Sequence, residues 1–281
     1  MSPSLPRPRK ATGARAFLKT ILARSYPRII GQMREKSWLF FDLFMPIVSI
    51  IAYVFVYRAL HAPEEYVGFV VMGGATIAFW LNVIWSMSSQ LYWEKETGNL
   101  ALYIMAPASL MAILLGMAFG GMLATSLRAV LILLIGSALF HVSFQVSGVL
   151  PLLAVFGLTM VALYGMGMML ASLFLLLGRE AWHFGQLAQE PIYLLSGFYF
   201  PVRSLGPWVA AGASLLPLTL GLDAMRQLSF RPGVTRPLIG VNTEIALLFL
   251  LAVIFLIAAR LLLAHMERLA IREGRLTQSR A

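Results

Sequence analysis

Side chains able to do chemistry are few in this chain of 281 residues, and their spacing excludes most catalysis. Only two aspartates occur, Asp42 and Asp223, so the paired aspartate-rich motifs of intramembrane prenyl transferases are missing. The four histidines, His61, His141, His183 and His265, are scattered without HExxH spacing, and cysteine is absent, leaving no metal-ligand pattern and no clue to redox compartment. No GxSxG elbow is present. Asn82, Asn99 and Asn242 are followed by Val, Leu and Thr, which rules out an NPA-type pore. Lys10, Lys19, Lys36 and Lys95 all follow residues other than glycine, so no phosphate loop is encoded and the chain is expected to hold no cofactor, nucleotide or metal of its own. What remains is ionic recognition. Glu94, Lys95 and Glu96 stand together two residues before Gly98, in LYWEKETGNLALYIMAP, and Arg128 stands alone inside an apolar run, LATSLRAVLILL.

The elements that must position these charges are membrane helices. Hydrophobic residues make up 59% of the chain and charged residues 12%, against about 25% charged in soluble domains, and the mean hydropathy is +0.81. Apolar runs of about 20 residues recur, each long enough as a helix to cross a hydrocarbon layer of about 30 Å. The alternation of barrel strands is absent. The reading is an all-α integral membrane protein with six transmembrane helices, at residues 39–60, 66–87, 112–140, 149–177, a fifth around 192–200, and 245–263. The fifth is too short alone and needs the preceding 182–190 helix. Residues 208–222, interrupted by Gly212 and Pro217, are short for a crossing and read as a re-entrant or interfacial part of an outer segment, 201–230, with Trp208 as its headgroup-level anchor.

The net charge of +10 is concentrated at the two ends. Arg7, Arg9, Lys10, Arg15, Lys19, Arg24, Arg28, Arg34 and Lys36 precede the first run, and Arg268, Arg272, Arg275 and Arg280 follow the last. Such flanks face anionic lipid and the cytoplasm, not nucleic acid. Residues 14–36 place apolar side chains at helical spacing between basic ones, as an interfacial amphipathic helix bent near Pro27, and residues 1–13 read as a disordered tail. No cleavable signal is evident, so the N-terminus is expected to be retained. The organisation is a cytoplasmic tail and interfacial helix (1–38), a six-span domain (39–265) and a basic cytoplasmic tail (266–281). The four arginines Arg203, Arg226, Arg231 and Arg236, in a segment placed outside, run against the charge rule.

Two stretches carry a family resemblance. YWEKETGNLALYIMAPASLMAILLGM resembles the segment after the second span of type-2 ABC exporter permeases, with its E-x-x-x-G-x-L run, proline and third span. LLSGFYFPVRSLGPWVAAGASLLPLTLGLDAMR is similar to the S-G-x-x-F-P…P-x-x-x-x-x-R signature before their last span. Asn99 and Ala101 stand where a Thr and a Glu are common. The resemblance implies a permease subunit without a nucleotide site, whose short cytoplasmic coupling helix, about residues 88–97 within a coupling region 88–107, docks into a separate ABC ATPase subunit that binds ATP and magnesium. Glu94, Lys95, Glu96 and Gly98 would form that contact, or orient the helix against the interfacial helix. Implied as well are two ATPase copies, a second permease chain in a homodimer, and residence in a bacterial or archaeal plasma (inner) membrane with both termini cytoplasmic. The substrate expected is amphipathic, a drug-like molecule or a lipid-linked glycan or polymer. The alternatives are an ATP-independent six-span channel or carrier, which would want more ionisable residues inside the spans, and a membrane enzyme, weakened by its missing motifs.

Substrate-path candidates are Arg128, whose charge within a span faces protein, water or an anionic headgroup, the aromatics Phe79, Trp80 and Trp85 of the second span with Met87, and Tyr193, Phe198 and Tyr199 around the S-G-F-Y-F-P turn as an outer gate. For Phe79, Trp80, Trp85 and Met87 core or lipid-facing packing is the commoner role of such residues in membrane helices, and Arg128 also reads as a side chain snorkelling to the headgroups. Ala112, Gly116, Gly120 and Ala124 repeat every four residues, a seam for close helix contact. Asp223 and Arg226, three apart, read as a local ion pair near the outer surface. Glu94 and Glu96 are expected to be solvent-exposed, and so to matter little for folding.

Overall fold

A central helix organises the packing. The computed structural model describes residues 13–178, 180–231, 235 and 237–273; the tail read over residues 1–12, Arg236 and the last residues including Arg275 and Arg280 lie outside them. Helix α3 (Glu65–Leu81) is buried almost along its whole length, from Val67 to Trp80. Its glycines admit neighbours that any side chain would exclude: a Cβ at Gly73 would fall 1.5 Å from the Phe198 carbonyl oxygen, and one at Gly74 2.4 Å from the Ile50 side chain. Ile50 belongs to α2 (Lys36–Ala59), which covers α3 on one side. On another lies α6 (Leu110–Phe140), where Gly136 receives Val71.

Continuing α3 without a gap, a π-turn (Asn82–Met87) leads through Ser88 and Ser89 into α4 (Gln90–Glu96). Together they make a 32-residue rod, Glu65–Glu96. The second span therefore continues past residue 87, and the charged stretch lies in α4, a short helix of its own set off from the π-turn only by Ser88 and Ser89. Gly98, at φ +79°, takes the left-handed geometry that glycine enters freely, and reverses the chain into α5 (Asn99–Met105).

The N-terminal helix α1 (Ala14–Arg34) runs alongside the start of α6. The small-residue seam of α6 is its seat. A Cβ on Gly116 would lie 2.6 Å from the Ile21 oxygen, and one on Gly120 2.7 Å from the Ser25 oxygen, so the backbones touch. The helix read from the sequence is present, with its backbone held against the bundle.

Helix α7 (Val149–Leu177) pairs along its length with α11 (Val241–Glu273), which begins before and ends well beyond the expected 245–263. Between them come α8 (Glu180–Leu195), α9 (Pro207–Ala213) and α10 (Pro217–Ser229). Prolines open α9 and α10, where a missing N–H costs nothing, and the two meet at 108°. Exposed apolar side chains cover α2 (Phe40, Phe41, Phe44, Phe55) and α11 (Phe249, Leu250, Ile257, Leu261), the pattern of helices whose solvent is lipid.

The chain is all-helical among its described residues, with five helices long and apolar enough to cross a membrane, or six if the bent α9–α10 pair is one span. The expected fifth crossing is not among the five. The 182–190 stretch and the first part of 192–200 merge through Pro191 into the 16-residue α8, whose Glu180, His183 and Glu190 dilute its apolarity, and residues 196–200 form the turn beyond it. It nevertheless runs from one end of the bundle toward the other: Trp182 stacks on Trp85 at its start, and beyond its end Tyr199 stacks on Tyr53 and accepts a 2.8 Å hydrogen bond from the Tyr57 hydroxyl.

Candidate functional site

At the α4 end of the bundle, the sequence-marked charges part company. Glu94 is buried, 6% exposed, whereas Glu96 and Gly98 are exposed and Lys95 is half-buried. The expectation of two solvated carboxylates is therefore wrong for Glu94. One of its oxygens accepts from Arg24 of α1 and from Gln90, both at 2.8 Å, and the other from the Tyr103 hydroxyl of α5 at 3.1 Å. The Arg24 guanidinium also lies over the Tyr103 ring, 5.0 Å from its centroid. Burial pushes the Tyr103 hydroxyl up from its ordinary pKa, with neighbouring Arg24 opposing and Glu94 adding to the rise. One carboxylate thus ties three helices together. The α4 rotation that buries Glu94 brings Glu96 outward, because positions two apart on a helix point to different sides. Trp93, Leu102 and Met105 are exposed beside it.

Two connected clefts open between α1, the π-turn, α6 and α8. The smaller, about 400 Å³, is lined by Arg24, Arg28, Gln32, Ser86, Gln90 and Glu94 among others. The larger, about 620 Å³, shares Gln32, Glu35 and Ser86 and adds Asp42, Asn82, Arg128 and three tryptophans, Trp85, Trp93 and Trp182. The π-turn widens the helix by one residue per turn, a feature common at functional positions, and Asn82, Trp85 and Ser86 of that turn all line the larger cleft. Trp85 and Trp182 stack with centroids 5.4 Å apart, Trp93 meets Trp182 edge-on at 6.0 Å, and the Trp85 indole N–H donates to Gln189 at 2.8 Å.

Arg128 is buried and paired inside the chain. It forms a salt bridge with Asp42 of α2 and donates to Gln32 of α1 at 3.1 Å. It does not snorkel away from the bundle, and its charge is answered by this chain before any ligand enters. Arg28 is handled differently: it donates to Gln90 at 2.7 Å and to Ser86, both neutral. Burial lowers its pKa from the ordinary arginine value.

The other candidates lie elsewhere. Phe79, Trp80, Met87, Phe198 and Tyr199 are buried in the bundle core and Tyr193 is half-buried against Phe198; none of these lines the two clefts, whereas Trp85, read with Phe79 and Trp80, does. Arg226 does not form the expected pair with Asp223. It is 2% exposed and donates to the carbonyls of Gly197, Phe198 and Phe69, at 2.7, 2.7 and 2.9 Å, while Asp223 accepts from the Leu238 amide at 2.9 Å and from Gln227 at 3.2 Å. A turn whose carbonyls have no ladder to join needs a multidentate donor, and arginine supplies one.

Sequence reasoning did not single out Arg24, Arg28, Gln32, Asp42 or Tyr103. The signal available was the four-residue spacing of Arg24, Arg28 and Gln32, one face of a helix.

The family model described as ABC-2 type transporter matches residues 18–230. No curated protein matches the chain. The matched segment begins in α1 and ends one residue past α10, so it takes in both clefts, the α4–α5 reversal and the turn held by Arg226. With more than half of its length matched in this way, the chain belongs to the ABC-2 type transporter family, as a multi-pass permease component whose partner is an ABC ATPase.

Proposed function

We propose that the chain is the transmembrane subunit of an ATP-driven exporter, and that the α4–Gly98–α5 reversal is the part its ATPase moves. The observation that carries this reading is the division of labour between Glu96, exposed at the tip, and Glu94, buried two residues away in a contact with α1 and α5. Force applied at the tip reaches α1 directly, through Glu94–Arg24 and through Gln90–Arg28, and from α1 passes to α6 along the glycine seam. The walls of the clefts then shift with the ATPase cycle, a population shift between states of different substrate affinity. In this reading the chain hydrolyses nothing itself. ATP and magnesium belong to two cytoplasmic ATPase copies, and two permease chains form a homodimer in a bacterial or archaeal plasma membrane. The α4 end and both termini face the cytoplasm, α8 with its following turn completes a sixth crossing, the bent α9–α10 pair is re-entrant from outside, and α1 lies at the inner interface. The substrate is amphipathic, as the tryptophan walls and guanidinium groups of the clefts suggest, and moves outward from the cytoplasm or inner leaflet.

The test is capture of a co-expressed phosphate-loop ATPase by the tagged permease. Glu96→Arg should abolish capture while leaving the permease inserted and monodisperse. Undiminished capture by that variant would remove the tip from the interface.

A further inference from the structure

The N-terminal helix turns one polar stripe toward the bundle. Arg24, Pro27, Arg28, Gly31, Gln32 and Glu35 recur at three- and four-residue spacing and face the smaller cleft, while Leu18, Leu22, Tyr26 and Met33 are exposed on the other side. Charges turned inward need partners. Arg24 has Glu94 and Arg128 has Asp42. Arg28 has a glutamine and a serine, both neutral, while the neighbouring cations Arg24 and Arg128 each hold an acid of their own. The remaining acid of the lining, Glu35, is exposed at the rim. The Nε–H groups of both Arg24 and Arg28 are buried without an acceptor, a deficit that native structures keep for a reason.

We propose that this cleft binds the phosphorylated headgroup of an amphipath, with Arg28 reading the anion and the tryptophans of the adjoining cleft receiving the apolar remainder. The inference rests on the export reading and names its substrate class. A phosphate offers acceptor oxygens in several directions, and side chains able to donate line the cleft from two helices: the Arg28 guanidinium and Gln32 amide of α1, and the Ser86 hydroxyl and the Gln90 amide, which also donates to Glu94, of the rod. A planar carboxylate would meet only part of that set. The two volumes, about 400 and 620 Å³ and sharing Gln32, Glu35 and Ser86, suit a polar head joined to a larger body. Trp85, Trp93 and Trp182 supply flat apolar walls directly beside the donors.

The probe is short-chain phosphatidic acid, titrated into the full chain in an uncharged detergent and followed by tryptophan fluorescence, with the matching diacylglycerol and inorganic phosphate as comparisons. Wild type should bind phosphatidic acid in preference to both. Arg28→Gln should weaken binding about tenfold or more, the scale of one charge-assisted contact. Arg28→Lys, which keeps the charge without the fork, should fall between, and decides the question if the glutamine variant does not fold. Arg15→Gln, an exposed cation on the same helix, should change nothing. Equal binding by wild type and the Arg28 variants, equal loss with Arg15→Gln, or equal binding of diacylglycerol would overturn the site. Inorganic phosphate matching phosphatidic acid would overturn the amphipath. With the ATPase present, release of labelled phosphatidic acid on ATP turnover marks a transported headgroup, and retention marks a resident lipid and overturns the substrate assignment. Binding does not require the ATPase, so intact binding without ATPase capture would count against the export reading alone.

Discussion

Glu94 and Glu96 are two residues apart in sequence and are held by different physics. Glu94 accepts three hydrogen bonds in a nearly closed site, so Glu94→Ala should strand Arg24 and the Tyr103 hydroxyl and cost on the order of 2 kcal/mol of stability. Glu96 is exposed, and its replacement should change stability by less than about 0.5 kcal/mol. Thermal unfolding of the two single variants in one detergent checks the contrast, and comparable losses would refute it. Local sequence made these carboxylates visible because they cluster, and it made Arg128 visible because a charge stands out in an apolar run. It hid their partners: Arg24 meets Glu94 across 70 positions and Asp42 meets Arg128 across 86. Asp223 and Arg226 misled for the opposite reason, since helical spacing allows their pairing but the carbonyls of the Gly197–Phe198 turn compete for the same guanidinium and win.

Helices, the next scale, were legible wherever a long apolar run met clear ends. Residues 112–140 and 149–177 agree closely with α6 and α7, and the four-residue repeat of small side chains announced a contact without saying that α1 would fill it. The π-turn left no mark in the sequence, because one extra residue in a helix changes no composition. Helix α8 was legible only in two pieces, 182–190 and 192–200, because its polar residues and Pro191 interrupt the apolar run. Packing at glycines yields a graded prediction. Gly73→Ala places a methyl against a backbone oxygen that Arg226 also holds, so the variant should fail to accumulate as folded protein; Gly74→Ala meets only the Ile50 side chain, which can turn, and should cost about 1–3 kcal/mol. Yields of monodisperse protein after size-exclusion chromatography decide it, and equal yields would contradict the packing. At the seam, Gly120→Val should push α1 from α6 and expose Ser25 to protease.

At the scale of the whole molecule, the proposed function assigns a direction in the membrane and a drive, and both can be measured. In the proposed orientation the basic flanks place the α4 end in the cytoplasm, so a cysteine replacing Glu64 should react with an impermeant maleimide in intact cells and one replacing the exposed Asn99 only after permeabilisation. The central claim is that the α4–α5 tip transmits ATPase work into the bundle. Its most direct measurement is substrate-stimulated ATP hydrolysis by the reconstituted complex carrying Glu96→Ala, with capture of the ATPase recorded on the same proteoliposomes. Aligned charges lost from one side of an interface weaken it, so capture should fall several-fold, or stimulation should vanish while basal hydrolysis persists, with the permease still folded. Normal capture together with normal stimulation would contradict the claim and leave the tip a solvated loop.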